Sequence, residues 1–173
     1  MPRPAPQKAV FLDRDGVLNV DTGYLFRKED WQWREGAVEL CTGAARKGYL
    51  LVVITNQSGI ARGKYDHSDV ASLHAWVQDQ LRRAGAPLTD IWYCPHHPEW
   101  SGRCLCRKPG SLMLERAAAL HGINLSASWM IGDHRRDLEA GRAAGCKTAF
   151  VGNAPMEIAD FILQKPSDLL PHL

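Results

Sequence analysis

At 173 residues, with 45% apolar and 23% charged side chains, the chain has the length and composition of one globular domain with a sizeable core. A formal net charge of +2 carries neither a basic surplus that would call for nucleic acid nor an acidic one that would call for a cationic partner. No apolar run reaches membrane-spanning length, and the five cysteines, three of them between positions 94 and 106, argue against a secreted disulfide framework and for a reduced, cytoplasmic setting.

The chain opens with a proline-rich leader over 1–7 that lacks the apolar core of a signal peptide. Ala9-Val10-Phe11-Leu12 is the first apolar run, and it stops at Asp13-Arg14-Asp15-Gly16. Short, continuously apolar runs closed by Gly and Asp predict buried parallel strands. A polar, aromatic-bearing excursion over 20–35 follows, then a helix over 37–47 ended by Gly48. Tyr49-Leu50-Leu51-Val52-Val53-Ile54 is the second strand and closes at Thr55. Ser68 is the expected N-cap of a helix reaching Ala84, with Val70, Leu73, Val77 and Leu81 on one face. Ile91-Trp92-Tyr93 is a third strand that leads into a loop over 94–106. A helix over 112–121 stops at Gly122. Trp129-Met130-Ile131 is a fourth strand closing at Gly132-Asp133, a helix over 138–144 ends at Gly145, and Thr148-Ala149-Phe150-Val151 is a fifth. The tail over 153–173 is poorly specified.

Strands separated by helix-length segments predict a three-layer, Rossmann-like α/β fold in one domain spanning 1–173, with a parallel sheet and helices on both faces. No insert is long enough for a large cap domain, so the excursion at 20–35 and the loop at 94–106 are the only available lids. In such a fold Asp13, Asp15, Thr55 and Asp133 stand at strand carboxyl ends on one edge of the sheet, where open α/β sheets bind ligands. Paired carboxylates there can hold a hard cation and divide nucleophilic from acid/base work; the bland alternative is a solvated Asp-Gly turn.

The second cluster is Cys94-Pro95-His96 with Cys104-Leu105-Cys106. Three thiolates and an imidazole within thirteen residues match the ligand set of a closed, structural zinc site. His97 competes with His96 for the fourth place, since both adjoin a proline. Cys41 and Cys146 fall in helix and helix-end contexts and read as packing residues.

Asp-x-Asp-Gly at 13–16, the strand-end Thr55, Lys108 before a helix and the strand-end Gly132-Asp133 occur in an order that resembles the haloacid dehalogenase superfamily, over about 9–151 of the chain. The resemblance implies that Asp13 attacks phosphorus to form an aspartyl-phosphate, and that Asp15 protonates the leaving oxygen and then activates water. A Mg2+ held by Asp13, Asp133 and the backbone carbonyl of Asp15 offsets the negative charge, while Thr55 and Lys108 serve the phosphoryl oxygens. Asp137, one helical turn after Asp133, either supports the metal indirectly or favours a helix N-terminus. For the zinc loop, the resemblance selects His96. That loop ends at Arg107-Lys108-Pro109, so zinc is expected to act structurally, by placing Arg107 and Lys108.

Two branches of the superfamily carry this loop: heptose bisphosphate phosphatases and histidinol phosphatases. Thr55-Asn56-Gln57-Ser58-Gly59-Ile60-Ala61-Arg62-Gly63, Asn19-Val20-Asp21 with Gly23-Tyr24, and Tyr93-Cys94-Pro95-His96-His97-Pro98 resemble the heptose branch. The implied reaction is loss of the 7-phosphate from D-glycero-D-manno-heptose 1,7-bisphosphate, with Asn19, Asp21, Asn56, Gln57, Ser58, Arg62, Arg107 and His134 as substrate contacts. His134 departs from the lysine usual there, which bears on substrate or pH optimum because imidazole is charged only below about 6.5. The expected partner is a small sugar bisphosphate, with no nucleic acid, no membrane and a monomeric chain. Histidinol phosphate is the rival substrate. A non-catalytic zinc-stabilised module and a nucleic-acid-repair phosphatase are rivals of other kinds; the latter would need a basic track that the charge balance does not offer.

Overall fold

Every side chain of strand β1 (Ala9–Leu12) is buried. Such a run has no polar face for solvent, and it pairs on both sides, in parallel, with β2 (Leu50–Asn56) and β4 (Trp129–Gly132); Phe11 lies opposite Val52 and Met130. The structure is a computed structural model and describes residues 5–173. Strand β3 (Asp90–Cys94) extends the sheet beyond β2, and β5 (Lys147–Val151) and β6 (Phe161–Leu163) extend it beyond β4. The order is β3-β2-β1-β4-β5-β6 and all pairs are parallel. It is a doubly wound order whose direction reverses between β1 and β4, the place where such sheets open a crevice.

Alternation along the strands divides the core into two. Val10, Leu12, Leu51, Val53, Trp129 and Ile131 pack with helices α1 (Ala37–Arg46) and α2 (His67–Arg83). Ala9, Phe11, Val52, Ile54 and Met130 face the other way, toward α4 (Leu112–His121) and α5 (Arg135–Ala144). A single turn of helix, α3 (Pro98–Ser101), interrupts the 94–106 loop. Cys41 and Cys146 are buried in the two cores, as packing residues should be.

The fold class is the expected one, with four local differences. Helix α2 is capped by Asp66, not Ser68: the Asp66 carboxylate accepts from Asp69 N while Asp69 accepts from Asp66 N, a reciprocal cap. Helix α5 starts at Arg135, three residues before Leu138, because Asp137 accepts from His134 N. The excursion at 20–35 is more than a lid; Leu25 and Trp31 enter the core, and Trp31 and Trp33 pack on Trp76 of α2. The tail is structured: β6 adds a sixth strand, and a 3-10 helix (Pro166–His172) buries Leu169 in the core that α1 also lines, with Lys47 Nζ donating to Leu170 O at 2.7 Å. Three-residue strands and 3-10 turns are too short to carry a hydrophobic period, hence the blank reading of this segment. Of the leader, residues 1–4 lie outside the described residues, while Gln7 is anchored by hydrogen bonds to Gly122 O and from Asn124 N.

Docking of the tail gives a direct test. Leu169→Ala is expected to lower the free energy of unfolding by about 2–4 kcal/mol, read from the urea midpoint at unchanged m-value.

Candidate active site

Parallel pairing delivers the carboxyl ends of β1, β2 and β4 to one edge of the sheet, so Asp13, Thr55 and Asp133 arrive together. Two glycines let the acids approach closely. A Cβ on Gly16, whose φ is +88°, would stand 1.9 Å from Asp133 Oδ2, and one on Gly132 would stand 2.2 Å from Asp137 Cβ. Lys108 comes from the far end of the 94–106 loop and is only 1% exposed. Its Nζ donates to Ile54 O at 2.7 Å and stands 2.9 Å from Asp13 Oδ1 and 2.8 Å from Asp137 Oδ1. Asn56 clamps the lysine backbone with both ends of its amide: Nδ2 donates to Lys108 O, and Oδ1 accepts from Lys108 N.

Burial pulls the Lys108 ammonium toward neutrality, but Asp13 and Asp137 outweigh it and hold its pKa above the ordinary value. One ammonium does not balance the acids. Burial first, then Asp137, push the Asp13 pKa up to about 7 against the pull of Lys108, with Asp133 and Asp15 adding to the rise. Ligand atoms of Asp13, Asp133, His134 and Asp137 lie within 4.8 Å of one another. Surplus buried carboxylate facing a cavity suits a hard divalent cation with oxygen ligands. His134 Nδ1 sits 2.8 Å from Asp133 Oδ1, and this hydrogen bond raises the imidazole pKa, so the histidine keeps its charge to a higher pH than a free one.

Asp15 is held differently. Its Oδ1 accepts from Arg14 Nε, Arg14 Nη2 and Asn19 Nδ2 at 3.2, 3.0 and 3.0 Å, and its Oδ2 from Arg14 Nη2 and Gln57 Nε2 at 3.1 and 3.0 Å. Burial alone would raise its pKa; the Arg14 guanidinium and the hydrogen bonds from Asn19 and Gln57 outweigh it and hold the carboxyl below its usual range. The two acids of the motif therefore differ in environment: without a cation Asp13 is pushed up, while Asp15 is held ionised by its donors.

A cavity of ≈ 320 Å³ opens above these groups, lined by Asp13, Asp15, Lys108 and His134 and, at its rim, by Asp21, Tyr24, Ser58 and Arg136 among others. Its volume lies at the low end for small-molecule sites, and a macromolecule could enter only by a protruding end. Of the residues expected to touch substrate, Asp21, Asn56, Gln57, Ser58 and His134 line it, whereas Asn19, Arg62 and Arg107 do not. Asn19 is fully buried against Asp15 and Val20 O. Arg107 donates to His96 O. Arg62 lies 3.2 Å from His97 Nε2 with its guanidinium between the Tyr24 and Trp100 rings. Thr55 Oγ1 is buried and accepts from Gln57 Nε2.

In the 94–106 loop, Cys94, Cys104 and Cys106 sulfurs are 3.1–3.5 Å apart, and His96 Nδ1 is 3.6 Å from Cys94 Sγ and 3.5 Å from Cys106 Sγ. Sulfurs of a tetrahedral zinc site stand about 3.8 Å apart, so the four groups are already gathered for a soft or borderline metal. Burial pushes the Cys94 and Cys106 thiols up, while for Cys104 the Arg107 N–H and the neighbouring thiols outweigh burial and hold it down. His97 is excluded from this cluster; its ring accepts from Glu99 N and caps α3.

The chain is similar to known proteins along most of its length. A HAD-hydrolase-like family model matches residues 105–171. The D-glycero-beta-D-manno-heptose-1,7-bisphosphate 7-phosphatase of Haemophilus ducreyi is 40% identical over 96% of this chain and 98% of its own. The chain belongs to the HAD-like phosphatases. Another member, the D-glycero-alpha-D-manno-heptose-1,7-bisphosphate 7-phosphatase of Burkholderia mallei, is 35% identical over 96% of this chain and 93% of its own. Among solved members, the heptose bisphosphate phosphatase of B. bronchiseptica, complexed with magnesium and phosphate, superposes with a TM-score of 0.84 at 28% identity, covering 96% of this chain and 97% of that one.

Sequence reasoning passed over four residues that the structure places at or beside this site. Arg14 occupies the variable place of the Asp-x-Asp motif. Tyr65 donates to Gln57 Oε1 at 2.6 Å, Arg136 lines the cavity from the first turn of α5, and His74 of α2 stands 3.2 Å from Arg14 Nη1. Only Arg14 offered a signal, a cation between two acids at a strand end.

Burial and the adjacent guanidinium push the His74 pKa down to about 3. An unfolded histidine takes up its proton near 6.5, so between those values the unfolded chain binds more protons than the folded one. The stability that depends on neutral His74 is fully present above pH 6.5 and is lost as pH falls toward 3, at up to about 1.4 kcal/mol per pH unit. His74→Gln is expected to flatten this part of the urea-measured stability profile.

Proposed function

We propose that this chain removes the 7-phosphate from D-glycero-D-manno-heptose 1,7-bisphosphate through an aspartyl-phosphate on Asp13. The carrying observation is the meeting of Asp13, Lys108, Asp133 and Asp137 at the base of a small polar cavity. Asp13 Oδ1 accepts from Arg14 N and contacts Lys108, which leaves its second oxygen for phosphorus. Lys108, fixed by Ile54 O and Asn56, steadies the phosphoryl oxygens, and the Thr55 hydroxyl hydrogen is uncommitted and adds a donor. Asp15 gives a proton to the leaving oxygen and takes one from water in the second step. Asp13, Asp133 and the backbone carbonyl of Asp15 would hold Mg2+, which would supply positive charge against the incoming phosphate. His134, Asp21 and Ser58 are the substrate contacts that the cavity wall supports best.

Zinc in the Cys94, His96, Cys104 and Cys106 cluster has a structural part in this proposal. Lys108 follows Cys106 by two residues, and Arg107 ties its guanidinium back to His96 O, so a cross-linked loop delivers the lysine to Asp13. Free thiolates in such a loop favour a reduced, cytoplasmic compartment. Among the described residues, large exposed apolar side chains form only small groups, Phe161 with Ile162 on β6 and Tyr24 with Trp100 about Arg62, which favours a monomer. No helix among the described residues is long and apolar enough to cross a membrane.

Phosphate release from the α- and β-1,7-bisphosphates and from histidinol phosphate, compared as kcat/KM with Mg2+, tests the substrate; a preference for histidinol phosphate would overturn it. Asp13→Asn should abolish turnover in a protein that still unfolds cooperatively, with mass spectrometry excluding deamidation back to Asp. Chelating the loop metal and restoring Mg2+ should lower kcat/KM. Full activity at an unchanged KM would show that the loop metal does not place Lys108.

A further inference from the structure

Helix α2 buries Val70, Leu73, Val77 and Leu81 against the sheet. His74 lies on the same stripe, four residues after Val70, and is 6% exposed, where an apolar side chain would be the usual occupant. Its Nε2 stands 3.2 Å from Arg14 Nη1, and its ring meets the Tyr93 ring edge-on at 5.7 Å. Arg14 is itself 1% exposed, and its remaining contacts are the Asp15 carboxylate and Leu25 O, the latter at 2.8 Å. A fully buried guanidinium keeps a fixed orientation only when acceptors surround it. His74 is the acceptor on the side away from Asp15. It accepts as the neutral tautomer, the form that burial and the guanidinium enforce.

We propose that His74 is a positioning residue for Asp15: by accepting from Arg14 Nη1 it holds the guanidinium in the orientation that grips the carboxylate, and so sets where the proton donor to the leaving oxygen stands. The inference rests on the phosphatase mechanism above, in which Asp15 transfers that proton. A leucine in place of the imidazole leaves Arg14 Nη1 unpaired in the core, and the guanidinium then turns toward other acceptors and carries Asp15 with it. A glutamine can present its carbonyl oxygen where Nε2 was and restore the contact.

The test separates proton donation from general damage by the leaving group. In the first turnover with Mg2+, an alkyl phosphate needs its leaving oxygen protonated as the P–O bond breaks, whereas p-nitrophenyl phosphate releases p-nitrophenolate, a stable anion, without that help. His74→Leu should slow phosphorylation by the alkyl substrate by about ten-fold or more and that by p-nitrophenyl phosphate by less than about two-fold. His74→Gln should recover most of the alkyl rate. Equal losses on both substrates, or an unchanged alkyl rate, would overturn the positioning role. If the leucine variant does not fold, His74→Met fills the space without a strong acceptor and carries the same comparison. A wild-type enzyme that forms no aspartyl-phosphate from either substrate would instead overturn the phosphatase mechanism itself.

Discussion

A single buried ammonium shared between two carboxylates ties the site together. Lys108 bridges Asp13, just past the end of β1, and Asp137 in the first turn of α5, and it also donates to Ile54 O of β2. Three segments far apart in the chain are thereby fixed to one nitrogen. Breaking a buried pair of this kind leaves an uncompensated charge and costs about 3–5 kcal/mol, so the lysine and both acids stand or fall together. The same arithmetic of charge favours a cation here: with Asp133 added, the acids outnumber the ammonium, and burial first, then the neighbouring acids, raise the pKa of Asp13.

The sheet makes this meeting possible. Because every strand pair is parallel, all loops that follow strands emerge on one edge, and the reversal between β1 and β4 leaves space there. Gly16 and Gly132 then remove the Cβ atoms that would hold Asp133 and Asp137 away. The two lids have unlike origins. The 20–35 excursion is held from below by Leu25, Trp31 and their packing on α2, while the 94–106 loop is gathered around its own thiol and imidazole cluster. Neither is a domain, and the small polar cavity is walled by Asp21, Gly23 and Tyr24 of the excursion, while the 94–106 loop, expected to be a lid, contributes no lining residue and reaches the site only through Lys108 beyond it.

What the sequence left unspecified was the direction in which polar side chains spend their hydrogen bonds. Asn56 and Gln57 follow the second strand and were expected to reach substrate. Both line the cavity, but Asn56 uses its whole amide on the Lys108 backbone, and Gln57 bridges Asp15, Thr55 and Tyr65. Asn19 and Arg107 likewise hold the chain rather than face the opening. Arg14 shows the converse: a residue in a position read as variable turns inward and becomes the main partner of Asp15. Polar side chains beside an active centre have several partners within reach, and sequence spacing does not rank them.

The amino-acid sequence by itself determined the strand runs, the helix stops at Gly48, Gly122 and Gly145, the pair of acids after β1 and the four metal-ligating groups of the 94–106 loop. Each of these rests on short-range chemistry: the periodicity of burial, the freedom of glycine, and the spacing of like ligands. Only the tertiary structure decided that Asp66 rather than Ser68 caps α2, that the tail completes the sheet, that Asp137 faces Lys108, and that His74 reaches Arg14 across 60 residues. Those outcomes depend on which polar atoms are left without water when distant segments close together, and that competition exists only once the core has formed.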